Sequence, residues 1–187
     1  TKSIDFDGTD DKINLGDFTH LNSASAFTVS MWVKSSATNI SYGLMSKNKD
    51  GNDQFAIRFI SDQRIFINIE KDNDGFFAVA NSINADTNWH NIVLVFDGSG
   101  ADNSARLKLY KDGQAVTLSY INNIATTTAD LSGIDFEIGD YVTEEFAGNM
   151  DEIAFWSSAL SATEVAQIYN NNKATLDLST DTGDYTS

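Results

Sequence analysis

Short runs in which hydrophobic and polar residues alternate dominate this chain. Phe27, Val29, Met31 and Val33 share one phase, and Thr28, Ser30 and Lys34 occupy the other. Phe55, Ile57 and Phe59 repeat the pattern, as do Ile65, Ile67 and Ile69. A period of two marks a strand with one face on a core and the other away from it. Ile92 to Phe96 is apolar in both phases, which predicts a central strand, and Leu107 and Leu109 belong to another.

Four Asp-Gly pairs, at residues 50–51, 74–75, 97–98 and 112–113, separate these runs. Asp-Gly supplies the positive φ angles that tight hairpins demand. Asp112-Gly113 lies between Leu107–Lys111 and Gln114–Leu118 and is predicted to be a hairpin turn. Ser161 and Glu164 form a capping box, in which each side chain takes the other residue's backbone amide. Val165, Ile168 and Tyr169 follow at helical spacing, which predicts a helix over Ser161–Asn170 ended by the three asparagines. Closely spaced strands without alternating helices predict an all-β fold: a two-sheet antiparallel β-sandwich with about five to seven strands per sheet and one short C-terminal helix. One domain is expected over residues 1–173, with a polar tail or linker over 174–187.

Charge narrows the partners. Twelve Lys and Arg face 27 Asp and Glu, a net charge of −15. A nucleic-acid binder needs a basic face, and an anionic membrane would repel this chain. No apolar stretch approaches the roughly 18 residues of a membrane helix. The chain has no Cys, which excludes disulfides, zinc-thiolate sites and thiol nucleophiles. A start at Thr1 reads as a processed product or a domain cut from something longer.

An ordered set of motifs resembles the laminin G-like domains of the concanavalin A-like lectin/glucanase superfamily. Ser3–Ile13 is similar to their opening, Phe27–Val33 to the second strand motif, and Asn88–Val93 with Phe96–Gly98 to the central strand. Leu107–Gly113 is similar to the hairpin, and Phe146–Ile153 with Ala159–Glu164 to the last strand and its helix. The resemblance spans about residues 3 to 170. It implies a concanavalin A-like jelly roll whose first and last strands pair.

Candidate chemistry is sparse. The superfamily's glucanases carry a Glu-x-Asp-x-x-Glu or Glu-x-Asp-x-Glu strand motif, whose glutamates act as nucleophile and acid. The nearest run, Glu70-Lys71-Asp72-Asn73-Asp74, lacks the second Glu and reads as a turn into Gly75. His20 and His90 read as structural or solvated, and two histidines cannot build a three-His zinc site. Trp32, Trp89 and Trp156 fall in motif strands and read as core. No enzymatic activity is expected.

The Asp-rich opening is the stronger signal. Asp5, Asp7, Asp10 and Asp11 crowd around Gly8, and clustered hard oxygen ligands at a glycine turn suit calcium. Asp151 shares its phase with Ile153 and Phe155, so it is expected to face inward and need a partner. Pairing of the terminal strands, as the resemblance implies, would bring it near Asp7. The expected metal site is therefore a calcium at Asp7, Gly8, Asp10 and Asp151.

Two loops rich in Asp and Asn offer a ligand rim: Asp50, Asn52 and Asp53 in one, Asp72 and Asp74 in the other. Tyr42, Tyr120 and Tyr141 are candidates for stacking on a sugar face. The expected function is a non-catalytic, calcium-stabilised, lectin-like binding or adhesion module of a larger extracellular or cell-surface protein. Its partner would be a glycan or an extracellular protein. The alternatives are a structural or adhesive domain of a surface layer or virion, making protein contacts, and a degenerate glycan hydrolase.

Overall fold

The alternating runs all lie in strands of the computed structural model, which describes residues 3–72, 77–81, 83 and 86–175. In chain order the strands are β1 (Ile4–Asp7), β2 (Ile13–Asn14), β3 (Ala26–Ser35), β4 (Tyr42–Asp50), β5 (Asp53–Ile60), β6 (Arg64–Glu70) and β7 (Phe77–Ala80). There follow β8 (His90–Asp97), β9 (Leu107–Lys111), β10 (Gln114–Val116), β11 (Ser119–Ile121), β12 (Glu137–Ile138) and β13 (Ala147–Trp156). They make a six-stranded sheet, β1-β13-β3-β8-β9-β10, and a seven-stranded sheet, β11-β7-β6-β5-β4-β12-β2. The first and last strands pair antiparallel, as expected.

One phase of each central strand fills the space between the sheets. Val29 and Met31 of β3 and Leu94 of β8 meet Phe55 and Ile57 of β5 and Ile67 of β6. Each such side chain contributes about 1.5–3 kcal/mol on leaving water. The other phase of β8 is buried too, because helix α2 (Ala162–Thr175, numbered after a one-turn α1 at Asn103–Arg106) covers the outer face of the six-stranded sheet. There Val93, Val95 and Tyr110 pack with Val165, Ala159 and Leu160. Trp32 of β3 stacks on Tyr169 of α2, ring centroids 5.8 Å apart. A strand apolar on both faces is thus sandwiched between the core and a helix.

The capping box forms: Glu164 N donates to Ser161 Oγ at 3.3 Å, and Ser161 N donates to Glu164 Oε2 at 2.8 Å. The helix continues to Thr175 rather than ending at Asn170. Helix α1 was not foreseen; Asp102 caps it, accepting from Ala105 N at 2.9 Å. Asp112 and Gly113 take φ of 52° and 73° between β9 and β10, the double left-handed turn that an Asp-Gly hairpin requires. Asp97-Gly98 makes no such turn: neither residue is left-handed, and Gly98 N donates to Ser25 O as the chain moves on toward α1. Asp74-Gly75 lies outside the described residues. Of the tryptophans only Trp32 is buried; Trp89 and Trp156 are partly exposed.

Candidate functional site

The acidic opening folds into a tight turn after β1. Asp7 Oδ1 accepts from Thr9 N at 2.8 Å, and Asp11 Oδ2 accepts from Asp7 N at 2.9 Å. Gly8 stands in the left-handed region. Asp7, Asp10 and Asp11, all exposed, each present a carboxylate oxygen within 4.8 Å of the others.

Asp151 is not part of this group. The register sets Asp7 opposite Ala147 and Ile4 opposite Met150. Asp151 therefore lies four residues further along β13 than Asp7's partner, about 13 Å at strand rise. Its facing differs as well. A β-bulge between Asp151 and Ala154, with Glu152 at φ 49°, resets the alternation. Met150 enters the core before the bulge, and Ile153 and Phe155 pack against it afterwards. Asp151 points to the other face, beside its cross-strand partner Trp32. Its Oδ1 accepts from Glu152 N at 2.8 Å.

The face of the seven-stranded sheet turned away from the core carries a continuous set of polar side chains. Because Phe55, Ile57, Ile67 and Ile69 point inward, Gln54, Ala56 and Arg58 of β5 and Phe66, Asn68 and Glu70 of β6 point outward. The register aligns Asn48, Gln54 and Glu70 in one row and Glu137, Ser46, Ala56 and Asn68 in the next. The loop after β12 lies across these rows. Tyr141 Oη donates to Gln54 Oε1 at 2.9 Å, and the Arg58 guanidinium sits 4.2 Å from the Tyr141 ring centroid. Gly43 of β4 makes this approach possible: a Cβ there would stand 2.2 Å from Tyr141 N.

Beside Tyr141 a cavity of about 300 Å³ opens, lined by Lys12, Ser46, Asn48, Asp135, Glu137 and Asp140 among others. Lys12 Nζ reaches Glu137 at 2.8 Å and Asp140 Oδ2 at 3.2 Å. Asp140 is only 6% exposed, and its Oδ1 has no hydrogen-bond partner. The buried Oδ1 of Asn48 has none either. Val142 on the rim is 65% exposed and held at φ 61°, which a β-branched residue resists. Unsatisfied buried acceptors and an outlying backbone angle cost energy, and such costs gather where a ligand repays them.

The loop residues expected to bind ligand border one end of this face. Asp50 Oδ1 accepts from Asn52 N at 2.8 Å and Asp53 N at 3.0 Å, closing the β4–β5 turn. Asp53 Oδ1 accepts from Asp72 N at 2.9 Å, joining the two loops. Asp74 lies outside the described residues. Tyr42 cannot stack on a sugar, being 6% exposed and packed edge-on against Phe146. Tyr120 packs on the core and donates to Leu107 O at 2.9 Å. Tyr141 alone of the three lies over the outward face of the seven-stranded sheet, where Ser46, Gln54, Asn68 and Glu70 are themselves nearly buried. Glu70 is not in a turn: it ends β6, 3% exposed, and accepts from Asn68 Nδ2 at 2.6 Å.

His90 is structural and His20 is exposed. His90 spans Asp112 Oδ2 at 2.8 Å and Asp86 Oδ1 at 2.9 Å. Asp112, and then Asp86, raise its pKa against the opposing effects of burial and Lys111. His20 tilts against Phe18. Sequence reasoning missed Gly43, Asn48, Glu137 and Asp140. Asn48 belongs to the polar phase of β4, which resembles any solvent-facing sheet surface, and Gly43, Glu137 and Asp140 carried no signal of their own.

The fold matches carbohydrate-binding structures and a pentraxin at low identity. The carbohydrate-binding module CBM40 of the Ruminococcus gnavus IT-sialidase superposes with a TM-score of 0.69 at 14% identity, over 90% of this chain and 97% of that one. Domain 4 of AbnA, an extracellular arabinanase from Geobacillus stearothermophilus, gives 0.65 at 17%, over 89% and 76%. The SAP-like pentraxin of Limulus polyphemus gives 0.62 at 17%, over 89% and 81%. No curated protein matches the sequence. No helix among the described residues is long and apolar enough to cross a membrane. The Laminin_G_3 family model matches residues 7–166, so the chain belongs to this family of the concanavalin A-like lectin/glucanases superfamily.

Proposed function

We propose that the chain is a non-catalytic glycan-binding module of a larger extracellular protein, and that it binds at the open face of the seven-stranded sheet around Asp140. The observation that carries this reading is the cavity in which Asp140 Oδ1 and Asn48 Oδ1 stand buried without donors. Sugar hydroxyls supply donors at the density such a surface needs, and Tyr141 forms a partly exposed aromatic wall beside them. Two neighbours of the same fold hold sugars: CBM40 was determined with sialyllactose and the arabinanase domain with arabinotriose. Glu137 and Asp140 are tied to the same Lys12 ammonium, an arrangement suited to holding a ligand rather than cleaving it.

A calcium ion at Asp7, Asp10 and Asp11 completes the proposal. Three exposed carboxylates on a glycine turn match that ion's preference for hard oxygen, with water filling its remaining positions. Its role would be to neutralise the turn that anchors β1.

The test is a glycan array followed by calorimetry on the strongest binder. Binding is expected to be lost in Asp140→Ala, with no new reducing ends on prolonged incubation. Absence of binding to every glycan would refute the module, and sugar release would refute its non-catalytic character.

A further inference from the structure

We propose that the Asp140 cavity selects neutral oligosaccharides and turns away those carrying a sialic or uronic acid. The inference rests on the glycan-binding reading above and adds the class of sugar.

The unsatisfied atoms set the polarity of the ligand. Of the residues lining the cavity, Asn48 and Asp140 each leave a buried oxygen without a donor, and none leaves a buried nitrogen without an acceptor. Hydroxyl groups donate to such oxygens. A carboxylate cannot, and brought beside the carboxylate of Asp140 it adds repulsion.

The cations that could offset this are already engaged. Lys12 Nζ bonds Glu137 and Asp140. Arg58 bonds Glu144 at 3.1 Å and lies 5.2 Å and 4.2 Å from the ring centroids of Phe66 and Tyr141. Arg58 is thus held through Nη1 by Glu144 and across its plane by aromatic rings, and it is not among the residues lining the cavity. Asp135, Glu137 and Asp140 outnumber Lys12 among the residues lining the cavity. The whole chain carries −15, so the field further out has the same sign.

The experiment is an array printed in matched pairs, each neutral oligosaccharide beside the same one bearing a sialic or glucuronic acid. Wild-type protein should bind the neutral member at least tenfold more tightly. That affinity should hardly change between about 50 and 500 mM NaCl, since no ion pair is screened. Asp140→Asn, which keeps the shape and trades one acceptor oxygen for an amide, should weaken neutral binding about tenfold or more. Glu144→Gln, which frees the Arg58 charge, should narrow the gap within pairs. Tighter binding of the acidic members, lost as salt rises, would overturn the inference and leave the glycan reading standing. Absence of binding to both members of every pair would overturn both.

Discussion

Replacing Gly43 with alanine tests whether the loop carrying Tyr141 must lie flat on the open sheet face. The new Cβ would stand 2.2 Å from Tyr141 N, 2.5 Å from Asp140 C and 2.6 Å from Tyr141 Cβ, where ordinary contacts begin at 3.4 Å. Two of these atoms are backbone, so relief requires the loop to retreat by about 1.2 Å. At that displacement the 2.9 Å bond from Tyr141 Oη to Gln54 is no longer a hydrogen bond, a loss of about 1 kcal/mol. The Arg58–Tyr141 contact weakens by about 0.5 kcal/mol. Residual overpacking adds about 1–2 kcal/mol. The total, about 3 kcal/mol, corresponds to a fall in melting temperature of about 6–12 °C for a domain of this size. Differential scanning calorimetry measures the fall, and titration with the strongest array glycan should show weaker binding in the folded variant. Gly51→Ala, whose added Cβ meets nothing within 4 Å, is the control and should change neither. A Gly43→Ala protein that melts within about a degree of wild type and binds as tightly would refute the reasoning.

Three further outcomes follow from the geometry. Gly113→Val should destabilise the domain by about 1–3 kcal/mol, since φ of 73° is hostile to a β-branched residue and Tyr169 Cδ1 lies 2.9 Å from the added Cβ; an unchanged denaturation midpoint would refute the claim. Calcium added to chelator-treated protein should raise the melting temperature, by an amount equivalent to about 2.7 kcal/mol at 100-fold excess over Kd. Asp10→Ala should remove that increment and Asp151→Ala should not; an increment insensitive to Asp10 would place the ion elsewhere. His90 holds its proton more tightly folded than unfolded, so its contribution is complete below 6.5 and is lost as pH rises through its higher folded value. Asp86 is held at about 2, chiefly by the Asn88 amide and then by His90, and its contribution is lost only as pH falls toward that value. Wild type should therefore lose more stability than His90→Gln between about pH 6 and pH 8.5 in parallel melts, and equal losses would contradict the assignment.

The strands were legible because burial imposes a period of two, and Asp112-Gly113 because both residues of its turn need positive φ. Asp151 was misplaced for a physical reason. One extra residue at Glu152 inverts the alternation, and nothing in Asp-Glu-Ile-Ala marks a bulge. The helix overran its expected end because Asn170 to Asn172 can continue a helix and no residue there adopts the left-handed conformation that would cap one. The open-face cavity was illegible for another reason. Asn48 stands far in sequence from Glu137 and Asp140 and meets them only through the register of β12 with β4. Gly43 carried no signal either, since its demand comes from a loop nearly a hundred residues away.

The outermost strands of both sheets are brief: β1 has four residues, β10 and β11 three each, and β2 two. An exposed strand edge is a template on which another chain can add a strand, and its reach scales with the number of free backbone groups in line. Edges this short offer few such groups, and the charge of −15 pushes copies apart before they align. A surface could therefore carry many copies side by side without their fusing into shared sheets, each keeping its open face available. Were the proposed glycan site to hold, such crowding would multiply single contacts with a repeating polymer into durable attachment.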